Sequence, residues 1–270
     1  MDSLEKPVVP LATSGLLKAD SAGGYQYPGH GQNAEIGVAV SHGFTGSTQD
    51  VLPWAQALAA QGYAVRVPLL PGHGTSWRDL QISRWRQWAT CYEAAYLELR
   101  GQTRLTFTAG LSMGGTLALR TASTHGACGV LAVNPALSFY DRRVKAVALL
   151  KYLMPTTSPI EEGETTTSTQ GLPDTGGDYS VTPLAAVHQL KRLFSNTRRK
   201  IRGLDVPVLV FKSEQDSVVP ANSLEFIRTS VAAQRLEVVT LVRSSHVATL
   251  DVEAGLIAQH SVDFISRMTR

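Results

Sequence analysis

A serine set among glycines is the first feature of this chain that could do chemistry. The segment Gly110-Leu111-Ser112-Met113-Gly114-Gly115 follows an apolar run and precedes a helical pattern. A serine at a strand-to-helix turn has a strained backbone, and glycines on either side remove side chains that would collide there. The N-terminus of the following helix favours negative charge that develops beside it. We therefore predict that Ser112 is a nucleophile.

A second glycine-rich turn could stabilise the charge that such a nucleophile creates. It is Ser41-His42-Gly43-Phe44-Thr45-Gly46, at the end of the first apolar run that reads as a strand. In a serine hydrolase of this design, a backbone N–H in this turn and the N–H after the nucleophile hold the oxyanion. Phe44 and Met113 would be the two donors. The alternative is a tight strand-to-helix turn with no catalytic part.

An acid and a base follow the serine in chain order, and each comes after an apolar run. Asp216 lies four residues beyond Lys212, and His246 follows the last strand candidate. An imidazole accepts a proton near neutral pH, and a carboxylate fixes its tautomer and stabilises the imidazolium. We predict a triad of Ser112, Asp216 and His246. Glu214 is the nearest alternative for the acid.

Seven histidines compete for the role of base. His246 alone lies at a strand end late in the chain. The others fall in the N-terminal lead-in, the oxyanion turn, a Pro-Gly-His-Gly loop, a helix end, an insertion and the last helical pattern: His30, His42, His73, His125, His188 and His260.

Six apolar runs and the helical patterns between them are the elements that must position these residues. The pattern predicts buried strands over 36–41, 64–70, 105–110, 128–134, 206–212 and 236–242. Helical spacing covers 50–60 and 84–100, the second with Ser83 as its N-cap, and residues 1–34 read as an irregular lead-in. This alternation predicts a parallel sheet covered on both faces, with the triad at the carboxyl ends of its strands.

An insertion interrupts this alternation between residues 137 and 203. It carries two apolar helical faces and, between them, a stretch over 156–180 with seven threonines, five acidic residues and no basic one. A basic run follows over 191–202, which we interpret as a solvated helix face rather than an anion-binding surface. The predicted organisation is a core of 1–136 and 204–270 with a cap of 137–203.

Composition excludes several classes of protein. The chain has 270 residues, of which 43% are hydrophobic, and a formal net charge of +3. So small a surplus does not predict a nucleic-acid surface. Two cysteines, Cys91 and Cys128, cannot form a disulfide framework or a metal cluster. Without a secretory pattern or 18 consecutive apolar residues, we expect a cytoplasmic protein with no transmembrane segment, either a monomer or a homodimer.

Four motifs together resemble bacterial carboxylesterases and monoacylglycerol lipases of the α/β-hydrolase superfamily. They are His42-Gly43-Phe44-Thr45-Gly46, Pro71-Gly72-His73-Gly74, the Ser112 segment, and Ser245-His246-Val247-Ala248-Thr249-Leu250-Asp251. The similarity covers roughly residues 35–268. It implies an α/β-hydrolase fold, with a mostly parallel central sheet flanked by helices and a small helical cap. It also implies the triad and the oxyanion donors given above.

The resulting expectation is a cofactor-free, metal-free serine hydrolase that acts on short- to medium-chain acyl esters through an acyl-enzyme. Apolar cap residues would contact the acyl chain, among them Leu150, Leu153 and Val187. Two alternatives remain open: a related hydrolase that cleaves a thioester, an amide or a carbon–carbon bond, and a non-catalytic ligand-binding protein of the same fold. An aspartate-nucleophile enzyme is disfavoured because the turn holds a serine.

Overall fold

A twisted, mostly parallel sheet of eight strands lies at the centre of the protein, in a computed structural model that describes residues 16–140, 156–157 and 179–270. Its strand order is β1-β2-β4-β3-β5-β6-β9-β10, and a separate antiparallel pair is formed by β7 and β8. The strands are β1 Lys18–Ala19, β2 Tyr25–Tyr27, β3 Ile36–Ser41, β4 Ala64–Val67, β5 Leu105–Leu111, β6 Val130–Val133, β7 Thr156–Thr157, β8 Thr182–Pro183, β9 Val208–Ser213 and β10 Leu236–Leu241.

The inner strands are buried on both faces, which explains their nearly continuous apolar sequences. Successive residues of β9 alternate between two cores: Val208 and Val210 face one, while Leu209 and Phe211 face the other. Since side chains alternate along a strand, each inner strand contributes to both cores.

Helices cover both faces of this sheet. They are α1 Leu52–Ala60, α2 Trp77–Ile82, α3 Trp85–Gln102, α4 Met113–His125, α5 Leu184–Lys200, α6 Asn222–Ser230 and α7 Ala254–Met268. Buried residues of α1 and α7 belong to one core, and those of the other helices belong to the opposite core. This is the layered arrangement that the alternation of patterns predicts.

Strand pairing brings the two glycine-rich turns together. β3 and β5 are parallel neighbours, and Ser41 lies opposite Gly110 at their carboxyl ends. β6 and β9 continue the parallel sheet on the other side of β5. The segments that carry Ser112, Asp216 and His246 therefore all follow the carboxyl ends of parallel strands, as predicted.

Two local predictions are wrong. Within the predicted irregular lead-in, the described residues 16–34 include β1 and β2, which extend the sheet beyond β4: β2 pairs antiparallel with β4, and β1 pairs antiparallel with β2. β1 is the edge strand and has two exposed residues, and β2 beside it has three half-buried ones, so neither has the apolar run that marked the inner strands. Ser83 does not cap α3, whose N-cap is Arg84. Instead it follows the end of α2, and its hydroxyl donates to Leu80 O.

The predicted cap is described only in part. Its helix α5 packs against α3 and α4, while residues 141–155 and 158–178 lie outside the described residues. The division into core and cap therefore stays a prediction. No helix among the described residues is long and apolar enough to cross a bilayer.

Candidate active site

Ser112 occupies a sharp turn between β5 and α4. Its backbone has φ 56° and ψ −116°, in the left-handed region that costs a residue with a side chain about 1–2 kcal/mol. Two glycines make the turn possible. A Cβ on Gly110 would lie 2.3 Å from the carbonyl carbon of Gly114, and a Cβ on Gly114 would lie 2.1 Å from Ser41 O. Both contacts are with backbone, so only glycine fits, as the sequence pattern predicts.

The serine, the histidine and the aspartate form a continuous hydrogen-bonded chain. His246 Nε2 lies 2.9 Å from Ser112 Oγ, and His246 Nδ1 lies 3.0 Å from Asp216 Oδ1. All three residues are at least nine-tenths buried. An ionised carboxylate only accepts, so Nδ1 carries the proton and Nε2 faces the serine as an acceptor. The arrangement can take a proton from Ser112.

The carboxylate of Asp216 is surrounded by donors. Its Oδ1 accepts from the backbone N–H groups of Val218 and Val219 at 2.9 Å each, and its Oδ2 accepts from Lys212 Nζ at 2.6 Å. Burial alone would raise the pKa of this carboxyl group. The hydrogen bond and charge of His246, together with Lys212 and the Val219 N–H, outweigh burial and lower the pKa to about 2. Glu214, the alternative acid, has an exposed side chain.

Two other carboxylates accept hydrogen bonds from the loop that carries His246. Glu253 accepts from the backbone N–H of Val242 and Arg243 and from Ser244 Oγ. Asp251 Oδ2 accepts from both the backbone N–H and the hydroxyl of Ser245 at 2.8 Å. These hydrogen bonds satisfy buried or half-buried donors of the loop and so fix the position of His246.

Asn134 joins three elements at the end of β6. Its Nδ2 donates to Ser213 Oγ and to His246 O at 2.9 Å each, and its Oδ1 accepts from the Ser213 N–H at 2.9 Å. The residue is fully buried and has φ 44°, a conformation that asparagine tolerates better than most residues. It ties the His246 loop to β6 and β9.

The turn over 42–46 lies directly against Ser112. A Cβ on Gly43 would lie 3.5 Å from Ser112 Cβ, so the absence of a side chain there keeps space beside the serine. Among the described residues, neither the Phe44 N–H nor the Met113 N–H donates to a protein acceptor. Met113 is the first residue of α4, where such donors point out of the helix. Both N–H groups are therefore open to an acceptor from outside the described chain.

Two buried histidines support this turn without acting as bases. His42 Nδ1 donates to Gly43 O at 2.8 Å, and its Nε2 accepts from the Leu70 N–H at 3.1 Å. Burial lowers its pKa to about 4, so the ring is neutral. His73 packs edge-on against His42, Phe44 and Trp88. Burial is the main cause that lowers its pKa to about 3, and repulsion from His42, once that ring is protonated in acid, lowers it further. Neither histidine is part of the hydrogen-bonded chain that joins Ser112, His246 and Asp216.

The predicted acyl-contacting residues are only partly described. Val187 lies on α5 and is 5% exposed, in the same buried core as Phe44 and Met113. Leu150 and Leu153 lie outside the described residues. Among the described residues, no group of three or more histidine, cysteine or acidic side chains is placed to hold a metal ion.

Sequence reasoning missed four residues that shape the site: Lys212, Asn134, Asp251 and Glu253. Each makes a hydrogen bond whose partner lies either far away in the sequence or in a segment of unremarkable composition. Asn134 did carry a signal, because an asparagine directly before a proline at a strand end is typical of a constrained turn. Lys212 carried a weaker one, as a charged residue inside an otherwise apolar strand.

Comparison with known proteins gives consistent results. The family described as serine aminopeptidase, S33, matches residues 32–253. A thermostable monoacylglycerol lipase from a Bacillus species is 32% identical over 249 residues, which cover 89% of this chain and 94% of the relative. A carboxylesterase from Bacillus subtilis is 25% identical over 235 residues, or 86% and 92% of the two chains.

Solved structures agree with these relatives. A structure reported for the metagenome-derived lipolytic enzymes LipS and LipT has a TM-score of 0.81 and 31% identity, and it covers 92% of this chain and 99% of its own. A soluble variant of monoglyceride lipase from Saccharomyces cerevisiae, in complex with a substrate analog, has a TM-score of 0.73 and 15% identity over 99% and 98% of the two chains. The second likeness concerns the fold alone.

Proposed function

This chain belongs to the serine aminopeptidase S33 family of α/β-hydrolases, and we propose that it hydrolyses monoacylglycerols and simple medium-chain esters through an acyl-enzyme on Ser112. That it is a carboxylic ester hydrolase follows from its lipase and esterase relatives. The substrate range and the mechanism are the proposal. The observation that carries it is the chain of hydrogen bonds from Ser112 Oγ through His246 to Asp216.

The proposed reaction has two halves. Ser112 Oγ attacks the ester carbonyl carbon while His246 Nε2 takes the serine proton, and the proton then passes to the leaving alcohol. A water molecule, activated by the same nitrogen, next attacks the acyl-enzyme and releases the acid. Asp216 stays ionised throughout, because its donors stabilise the carboxylate.

The oxyanion of each tetrahedral intermediate would accept from the Phe44 and Met113 N–H groups. Both are fixed before substrate arrives: the Phe44 turn by the neutral His42, and Met113 by its place at the start of α4. Donors that need no reorganisation stabilise developing charge most effectively. The dipole of α4 adds to this effect.

The acyl chain would lie against apolar residues of the region 137–203, with Leu150, Leu153 and Val187 among them. Val187 supports this placement through the core that it shares with the oxyanion turn. Each methylene that the chain buries is worth about 0.8 kcal/mol, or about fourfold in affinity. Removing apolar contacts should therefore cost long substrates more than short ones.

A panel of acetyl, butyryl, octanoyl and lauroyl esters, with the matching monoacylglycerols, tests this proposal. We expect kcat/KM to rise from acetyl to octanoyl in the wild type and to fall selectively for long chains in Val187→Ser, Leu150→Ser and Leu153→Ser. Parallel losses on all four chain lengths, with folding intact, would contradict the assigned acyl contacts. Ser112→Ala is the control for background hydrolysis.

Amide hydrolysis is the second candidate, because the matching family is described by a peptidase activity. The same triad attacks esters and amides alike, so geometry at Ser112 does not separate them. Aminoacyl nitroanilides and a medium-chain thioester belong in the same panel. A higher kcat/KM on a nitroanilide than on any ester would favour the peptidase function over the one proposed.

A further inference from the structure

Lys212 lies on β9, four residues before Asp216, and makes a nearly buried ion pair with it. Its Nζ donates to Asp216 Oδ2 at 2.6 Å and to Val219 O at 3.0 Å. The lysine side chain is 17% exposed and the aspartate side chain is fully buried. An ammonium group that is nearly buried and makes two hydrogen bonds interacts strongly with neighbouring charges, because water screens it little.

The position of this charge matters because Asp216 has another partner. His246 Nδ1 binds Oδ1 of the same carboxylate at 3.0 Å, while Lys212 binds Oδ2. In a Ser-His-Asp triad the carboxylate stabilises the imidazolium that forms when the base takes the serine proton. Here one carboxylate serves two cations, and the fixed ammonium opposes the positive charge that His246 gains.

Few other charged or titratable groups lie around this pair. Glu214 shares the loop of Asp216 but is exposed. Asp251 and Glu253 accept hydrogen bonds from donors of residues 242–245, which belong to the loop that carries His246. The Tyr140 hydroxyl donates to the main-chain oxygen of Asp216 at 3.4 Å. Among the described residues, Lys212 is the one ammonium or guanidinium group that hydrogen-bonds to the Asp216 carboxylate.

We propose that Lys212 is a positioning residue that sets the pH range in which His246 acts as a base. By making protonation of the resting imidazole less favourable, the ammonium keeps the base competent at a lower pH than a carboxylate alone would. By holding Oδ2 and the Val219 carbonyl, it also keeps Oδ1 turned toward His246. This inference rests on the proposed function of the triad.

The test is the pH dependence of the rate at which a fluorophosphonate labels Ser112. In that step an Oγ–P bond forms, the P–F bond breaks, fluoride leaves and the serine proton passes to His246. The rate therefore reports on the base whatever ester the enzyme prefers. For Lys212→Gln and Lys212→Met we expect the acidic limb of the pH–rate profile to shift to higher pH by about one unit. At a fixed pH on that limb, labelling should therefore slow about tenfold.

Matched variants separate charge from structure. Lys212→Arg keeps the positive charge and should keep the wild-type limb. Lys18→Met removes the same charge from β1, at the opposite edge of the sheet, and should leave the profile unchanged. Thermal unfolding of each variant identifies any that fail to fold, and Lys212→Gln retains a donor for Val219 O if the methionine variant is lost.

Two results would overturn the inference. One is an unmoved acidic limb in Lys212→Gln together with a lower plateau rate, which would make Lys212 a structural brace only. The other is a shift in Lys212→Arg as large as in Lys212→Gln. A wild-type protein that the reagent does not label at Ser112 is a distinct outcome, since it would reject the proposed function and this inference with it.

Discussion

The two halves of the site are held in different ways. In the half that carries Ser112, the turn is shaped by steric exclusion: Gly110 and Gly114 have no room for a Cβ, and the serine itself is forced to positive φ. In the half that carries Asp216 and His246, the loops are held by buried hydrogen bonds and charges from Asn134, Lys212 and other polar residues.

This difference determines what each half tolerates. A steric site fails when an atom is added, because neighbouring backbone has nowhere to move. A polar site fails when a partner is removed, because the group left behind stays buried without a hydrogen bond. The predictions below test that contrast, beginning with the largest effect.

Asp216→Asn should cause the largest loss on the polar side. An amide leaves Nδ1 of His246 without its charged acceptor and permits the wrong tautomer, which in chymotrypsin-type triads costs about ten-thousandfold in kcat. Glu214→Gln removes the same charge two residues away at an exposed position and should leave kcat near the wild-type value. Steady-state kinetics on a nitrophenyl ester compares them, and a crippled Glu214→Gln beside a mild Asp216→Asn would reverse the assignment of the acid.

Gly114→Ala should cause the largest loss on the steric side. The new methyl group would lie 2.1 Å from Ser41 O and 2.7 Å from His42 O, and both are backbone atoms. We expect a loss of more than about 3 kcal/mol in the free energy of unfolding, measured by denaturant titration. Gly101→Ala is the control: apart from the local backbone of α3, no atom lies within 4 Å of its Cβ position, so stability should rise by about 0.5–1 kcal/mol. Equal stabilities would refute the steric account.

The steric and the polar constraints also differ in how well they can be predicted from the sequence. The turn at Ser112 was readable from sequence because steric demand leaves glycines at fixed places. β3 begins and ends where predicted because a strand buried on both faces is largely apolar and the glycine-rich turn follows it directly. The edge strands β1 and β2 were missed because two or three partly exposed residues show no period. The polar supports were missed because a hydrogen bond between Asn134 and His246, 112 residues apart, constrains neither neighbouring sequence.

Asn134 offers a way to separate the two kinds of constraint at one residue. Asn134→Ala removes the hydrogen bonds to Ser213 and His246 and keeps a β-carbon at φ 44°, which alanine tolerates less well than asparagine, so we expect a cost of about 3 kcal/mol in the free energy of unfolding. Asn134→Gly removes the same hydrogen bonds but relieves the backbone. It should be about 1 kcal/mol more stable than the alanine variant. If both variants match the wild type, the polar network does not support the site.

Acid should weaken the turn that faces Ser112. His42 and His73 have pKa values lowered to about 4 and about 3 by burial, against 6.5 in the unfolded chain. The unfolded state therefore binds more protons, and stability falls as pH drops below 6.5. Between pH 6.5 and pH 5 we expect a loss of about 1.6 kcal/mol per ring. His73→Phe should halve that slope in denaturant titrations, and an unchanged slope would show that His73 does not stay neutral in the fold.

Ser112 should become acylated during turnover. Rapid acid quench of the wild-type enzyme during hydrolysis of an octanoyl nitrophenyl ester, followed by peptide mass spectrometry, measures this directly. We expect one added octanoyl group on the peptide that contains Ser112, and no such group and no turnover in Ser112→Ala. An acyl group on another residue, or undiminished turnover in Ser112→Ala, would contradict it.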